Sequence, residues 1–416
     1  MKMHLFDTLG ALASALDLVE NELYDHHHRV AYISYRLGRE AGLAHEMLSR
    51  LVYAALIHDI GVITKKEKEE LLEFNFNGAQ QHAARGASLL SFVPRLASLA
   101  PIVHDHHRYW NTLSRDSSGG KSFELSDILH LADRIEVVID WQKDLFEQIP
   151  VNRELIERQR GIMFAPDLVD LFTGLSEDMG FWQALKSANI MEWLSRVFRK
   201  ENEYLAPESV INVARFAAYA VDFRSQYTFA HSSGVSSLAE YTGRQLGWDE
   251  KKLYKIKIAG LLHDVGKLVL PREVIEKNGP LNARELSLVQ THPFYTGVLV
   301  KQMGDMEEVH EYASYHHERL DGSGYPFHLE GAKFTNEAQM VALADIVCAL
   351  LEDRAYRPRK GRNYVAGILE EYRRGGVFSA DLADYALRSL DALMEIHQQV
   401  EQDALKDYMA WNKSFR

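Results

Sequence analysis

At 416 residues and 46% hydrophobic content, the chain is longer than one hydrophobic core ordinarily organises and has apolar residues enough for two. A formal charge of −12 excludes broad, nonspecific nucleic-acid binding, which rests on many Lys and Arg contacts to phosphate, so no DNA partner is expected. The single cysteine, Cys348, excludes an intrachain disulfide, and a cytoplasmic location is expected.

The first predicted element is an amphipathic helix carrying Leu5, Phe6, Leu9, Leu12, Leu16, Val19 and Leu23. Asp7, Asp17 and Glu20 interrupt it well short of a bilayer-crossing run, so it reads as a core helix and no membrane association is expected. Segments with apolar residues at three- and four-residue spacing follow, as in Val30, Ile33 and Leu37 and later in Leu238, Tyr241 and Leu246. Strand-like alternation is scarce, so the expected fold class is all-α. Breaks at Gly78, at 117–120, at 278–280 and at 321–326 fall between helices.

Along these helices one ladder of metal-ligating residue types occurs twice. The first copy is His26, His58, Asp59, His82, His106, His107 and Asp133; the second is His231, His263, Asp264, His292, His316, His317 and Asp345. The opening histidine precedes the histidine–aspartate pair by 32 residues in both copies, and the lone histidine precedes the histidine pair by 24 in both. The stretch 161–168 is echoed at 376–382, so the duplicated unit is whole. Two tandem helical domains are expected, 1–200 and 201–416, with the junction near 185–207 and Pro207 as the restart.

Imidazoles and carboxylates gathered from far along the chain are what a multinuclear metal site needs. A carboxylate can hold two cations through its two oxygens, whereas an imidazole caps one, so the aspartate of each histidine–aspartate pair is the natural bridge. Adjacent His316 and His317 would diverge by about 100° on a helix and so address neighbouring metals or opposite sides of one. Two cations roughly 3.5–4 Å apart would activate a shared water and clamp a phosphoryl oxygen, the arrangement for in-line attack on a phosphodiester. Asp345 stands in the apolar run Leu343–Val347, where a carboxylate needs a partner or a metal. The cluster Arg354, Arg357, Arg359, Lys360 and Arg362 is, by its charge alone, either a solvated loop or the local basic patch that a phosphate ligand requires.

His263-Asp264-Val265-Gly266-Lys267, then Thr291-His292-Pro293, then His316-His317-Glu318-Arg319-Leu320-Asp321-Gly322-Ser323-Gly324-Tyr325-Pro326 resembles the HD-GYP family of cyclic dinucleotide phosphodiesterases, within the HD superfamily of helical metal-dependent phosphohydrolases. The resemblance covers about 215–390. It implies that His231, His263, Asp264, His292, His316, His317 and Asp345 are metal ligands with Asp264 bridging. It also implies cleavage of cyclic di-GMP or 3′,3′-cyclic GMP-AMP to the linear dinucleotide, or on to mononucleotides, by a hydroxide held between the metals. His263 and Asp264 are thus the expected catalytic centre. Lys267, three residues past Asp264, would share its helical face and neutralise a phosphate oxygen, with Gly266 clearing space for the ligand. Arg354 and Arg357 match the family's basic positions after the last aspartate and are expected substrate contacts. Tyr325 either lines the nucleotide pocket or packs.

Two departures from the family bear on the second repeat. Tyr227 stands where three-metal members carry a Glu, four residues before the first histidine, so two metals are expected there; Cys348 stands where the family tends to have Asp. The first repeat lacks the GYP loop and has Val62 at the lysine position, yet Glu22 completes a set of Glu22, His26, His58, Asp59, His82, His106, His107 and Asp133 sufficient for two or three metals. A metal-stabilised regulatory or pairing domain, a sensor, or a second hydrolase are the readings open for it. The metal is expected to be iron or manganese, with zinc, nickel and cobalt compatible with the same donors. Alternatives for the whole chain are a non-catalytic cyclic dinucleotide-binding adaptor and a phosphohydrolase acting on another nucleotide. A homo-oligomer or a signalling partner is compatible with either.

Overall fold

The computed structural model describes residues 2–18, 25–71, 73–74, 80–112, 123–187, 189–199, 204–354 and 357–413. Among them the only strands are Lys2–Met3 and Gly304–Asp305, which pair antiparallel; the rest of the regular structure is helical. The chain separates into two compact units, Leu5–Glu203 and Tyr204–Ser414, and Met1–His4 goes with the later one.

The first unit opens on the helix Leu5–Asp17, which ends short of the predicted Val19 and Leu23. Residues 19–24, and with them Glu22, lie outside the described residues. The helix that begins at His26, His26–Glu40, packs on His45–Leu56 and on Leu125–Val137, the helix that carries Asp133. Phe6, Tyr32, Phe172, Phe181, Trp182 and Phe198 fill the core of this unit. Full burial of one such side chain stabilises by ~1.5–3 kcal/mol, so the aromatic cluster holds the helices that position the histidines.

The second unit repeats the arrangement. Its first helix, Pro207–Asp222, starts on the predicted proline, whose missing N–H and fixed φ suit the first turn. His231–Gln245 packs on Glu250–Leu262 and on Asn336–Leu351, the helix that carries Asp345. Asp249 and Thr335 cap the latter two by accepting the backbone N–H groups of Lys252 and Ala338.

Neither histidine–aspartate pair lies inside a helix. His45–Leu56 and Glu250–Leu262 both stop just before it, and the pair occupies the turn that follows. The glycine two residues past each aspartate explains the turn. A Cβ on Gly61 would lie 2.1 Å from the His82 carbonyl oxygen and 2.5 Å from Gly86 N; on Gly266 it would lie 2.1 Å from the His292 carbonyl oxygen and 2.5 Å from Thr296 N. The expectation that Gly266 clears space for a ligand is therefore corrected: the missing side chain lets the turn abut the helix that presents His292.

Candidate metal centre

In the second unit the two oxygens of Asp264 face two separate sets of imidazoles. Oδ2 lies 3.6 Å from His231 Nε2 and 3.4 Å from His263 Nε2. Oδ1 lies 3.3 Å from His292 Nε2 and 3.8 Å from His316 Nε2. Asp345 approaches from its own helix, with Oδ1 3.2 Å from His231 Nε2 and Oδ2 3.7 Å from His317 Nδ1. Two groups of donors close enough to share one cation each result: His231, His263 and Asp264, and His292, His316 and His317. His316 and His317 lie in the turn after the helix Glu307–Ser314, not on a helix as expected, and their ring centroids are 4.2 Å apart.

The outer nitrogens set which lone pairs face inward. His263, His292 and His316 place Nδ1 at 2.7, 2.6 and 2.7 Å from the carbonyl oxygens of Gly260, Val289 and Ala313, each three residues back. Nδ1–H donates there, so Nε2 carries a lone pair toward the centre. Burial pushes His292 and His316 down from the ordinary histidine range and takes His317 to about 3, so these rings are neutral. His292 Nε2 and His316 Nε2 then sit 3.1 Å apart, lone pair against lone pair. The buried atoms His263 Nε2 and Asp264 Oδ1 have no hydrogen-bond partner at all. Such buried vacancies in hydrogen bonding cost about 1–3 kcal/mol each, and a cation between the donors removes the cost. The residues therefore fit a divalent-metal centre.

Charge around the centre follows from its surroundings. Burial opposes ionisation of Asp264, but Lys267 and His263 outweigh it and hold the carboxylate well below its usual range. Burial likewise opposes a charge on His231, yet Glu352 and Asp345 raise it to about 10. Glu352 is the residue the sequence reading missed: its carboxylate is 3.1 Å from His231 Nδ1 and orients that ring as the backbone carbonyls orient the others. Asp222 was missed too. It is buried and accepts from Ser232 N at 2.9 Å and Ser232 Oγ at 3.0 Å, anchoring the start of the helix at His231. A signal existed, since an aspartate stands nine residues before the first histidine in both copies, at Asp17 and Asp222.

The predicted substrate contacts divide. Lys267 lies on the short 3₁₀ segment Val265–Val269, and its Nζ is 2.5 Å from Asp264 Oδ2. Lys267 and Arg354 line a cavity of about 220 Å³ that also touches Asp264, Tyr227 and Asp222. Arg357 is not on its wall; its Nη2 donates to the Ala349 carbonyl. Tyr325 packs beside the centre, its ring 4.8 Å from His317. The loop that carries it is pinned by the buried Glu318, which accepts from Phe327 N and Leu329 N.

The first unit assembles the same cage. Asp59 Oδ1 is 3.1 Å from His82 Nε2 and 3.6 Å from His106 Nε2, and its Oδ2 is 3.4 Å from His58 Nε2. His26 Nε2 is 3.6 Å from Asp133 Oδ1, while its Nδ1 is held by Glu136 at 2.6 Å, the counterpart of Glu352. His58, Asp59 and His26 form one donor group; Asp59, His82, His106 and His107 form the other. His58 Nε2, His107 Nε2 and Asp59 Oδ1 are buried without partners. One difference stands out: Arg134 donates to Asp133 Oδ2 at 2.6 Å and to the carbonyls of Leu71 and Glu73.

Two helical units, each with a histidine–aspartate turn at the heart of a divalent-metal cage, define the HD class of hydrolases. Residues 215–380 and residues 23–137 each match a family described as "HD domain". The chain is 31% identical over 402 residues to the 3′3′-cGAMP-specific phosphodiesterase 1 of Vibrio cholerae, covering 93% of this chain and 92% of that one. It is 34% identical over 192 residues to the cyclic di-GMP phosphodiesterase response regulator RpfG of Xanthomonas campestris, covering 44% and 47%. A solved Vibrio cholerae cyclic GMP-AMP specific phosphodiesterase, V-cGAP3, shares the fold with a TM-score of 0.63 at 21% identity, over 94% of this chain and 98% of that one. The chain belongs to the HD-GYP family of phosphodiesterases and is a metal-dependent enzyme. Among the described residues, no helix is long and apolar enough to cross a membrane.

Proposed function

We propose that the second unit opens a cyclic dinucleotide, cyclic di-GMP or 3′,3′-cyclic GMP-AMP, to the linear dinucleotide: water adds at phosphorus and one ester P–O bond breaks. The observation that carries this reading is the pair of donor groups meeting at the two oxygens of Asp264, beside a cavity lined by Lys267 and Arg354. His231, His263 and Asp264 would hold one ion, His292, His316 and His317 a second, with Asp345 closing both. Divalent ions held there, iron or manganese by this reading, supply electrophilic activation of the phosphoryl group and of water. Lys267 moves its ammonium from Asp264 to a non-bridging phosphate oxygen as charge develops there. Arg354 adds a second donor from the cavity wall, and the neutral imidazoles fix the donor geometry. In the first unit Val62 replaces the lysine and Arg134 already covers Asp133, which favours a metal-stabilised regulatory domain over a second hydrolase.

The test is turnover by the full chain loaded anaerobically with Fe²⁺ or with Mn²⁺, with products identified by mass spectrometry. A linear dinucleotide should appear, and His263→Ala or Asp264→Ala should abolish it. Turnover that survives both substitutions removes the assignment.

A further inference from the structure

The wall of the cavity beside Asp264 holds a cation, Arg224, that has no carboxylate partner among the described residues. Arg224 lies two residues past the helix Pro207–Asp222, and its guanidinium donates from Nη1 to the carbonyl of Leu268, the residue after Lys267, at 3.4 Å. Its Nε is buried with no partner. Among the described residues no carboxylate pairs with it; the charged group that bears on it is a second guanidinium, Arg272, and burial together with that like charge takes Arg224 down to about 10. Arg272 is tied to Glu276 at 2.6 Å and lines the same cavity, as do Lys267 and Arg354.

Two half-buried arginines on one cavity wall, one of them with a buried Nε that has no hydrogen-bond partner, leave donors for an anion that enters between them. Guanidinium pairs recognise phosphate through parallel N–H donors. At about 220 Å³ the cavity is smaller than the ~300 Å³ at which pockets for whole ligands begin, so it takes one arm of a larger substrate. We propose that Arg224 and Arg272 receive the second phosphate of the cyclic dinucleotide, the one that is not being cut, and so select substrates that carry two phosphodiesters. This inference rests on the reading of the second unit as a cyclic dinucleotide hydrolase.

The experiment measures kcat and KM of the metal-loaded full chain, its Arg224→Gln and Arg224→Lys variants, and Arg272→Gln, on cyclic di-GMP, cyclic di-AMP and 3′,3′-cyclic GMP-AMP. Arg224→Gln should raise KM about tenfold to a hundredfold, by a similar factor for every ring the parent accepts, with kcat changed far less. Arg224→Lys should recover part of the loss. Because the cation removed has no carboxylate partner among the described residues, thermal melting of Arg224→Gln should stay at or above the parent's; a guanidinium needed for packing would lower it. Unchanged KM in Arg224→Gln overturns the inference while leaving the proposed activity intact. A loss confined to guanine-containing rings also overturns it, since that marks base recognition. Absence of turnover on any ring by the parent chain overturns the proposed activity and this inference together.

Discussion

The ammonium of Lys267 lies 2.5 Å from Asp264 Oδ2, the same oxygen that faces His231 and His263. A cation entering between those imidazoles competes with the lysine for that oxygen, and displacement frees the ammonium for the substrate. Lys267→Met should therefore leave the metal content of the purified protein unchanged or raise it, while kcat falls ~10²–10³-fold, the range for losing one preorganised donor. Elemental analysis and steady-state kinetics on one preparation check both halves; a fall in metal content parallel to the fall in rate would make Lys267 a structural support.

Asp264 faces two imidazoles of each group, whereas Asp345 faces one of each, His231 and His317. Asp264→Asn is expected to cost the second unit both of its ions, and Asp345→Asn to weaken binding with a smaller fall in stoichiometry. Metal-to-protein ratios after dialysis separate the two, and equal losses would refute the bridging geometry.

Glu352 orients His231 through Nδ1 without facing the proposed ion. Removing such an outer partner typically lowers metal affinity 10–100-fold, so Glu352→Gln should shift the metal titration by that factor while saturating metal restores most of the turnover. A variant that no metal concentration rescues would place Glu352 in the chemistry itself.

Asp222 gives a pH signature in the metal-free protein. Burial raises its carboxyl to about 7, against an ordinary value of 3.8. Between these values the folded state keeps a proton that the unfolded state has lost, so stability falls as pH rises from about 4 to about 7 and this contribution is flat above. Asp222→Asn stays neutral throughout. Its melting temperature relative to the parent should rise across that window, and a difference independent of pH would refute the assignment.

His58 lies in the first unit, in the donor group with Asp59 and His26. If that cage is structural, His58→Ala lowers both the total bound metal and the melting temperature, at ~2–4 °C for each 1 kcal/mol lost in a unit of this size. Turnover by the second unit should persist. Loss of turnover at full metal occupancy of the second unit would show that the first unit governs the activity.

The helical character and the ligand ladder were legible because each rests on a local pattern: apolar spacing of three and four, and intervals repeated in two copies. The turns around the histidine–aspartate pairs were not. Nothing in His58-Asp59 or His263-Asp264 says that the helix ends just before them; the reason is a close approach between Gly61 or Gly266 and a helix some twenty or thirty residues later. Glu352 and Arg224 were missed for a related cause, since their importance lies in what surrounds them: a distant imidazole in one case, the lack of a carboxylate partner among the described residues in the other. Arg357 shows the converse, a residue placed by motif at the substrate whose side chain instead donates to Ala349.

The two-residue strand Lys2–Met3 pairs with Gly304–Asp305, His4 bridges to Tyr204, and Gly304 has no room for a side chain against the Lys2 carbonyl. A gene cut after Glu203 would consequently strip the downstream product of its own first strand and leave a backbone edge uncovered. Independent expression of the later unit calls for grafting the opening tetrapeptide onto it or supplying those residues as a separate peptide, and an affinity tag is better attached at the carboxyl end.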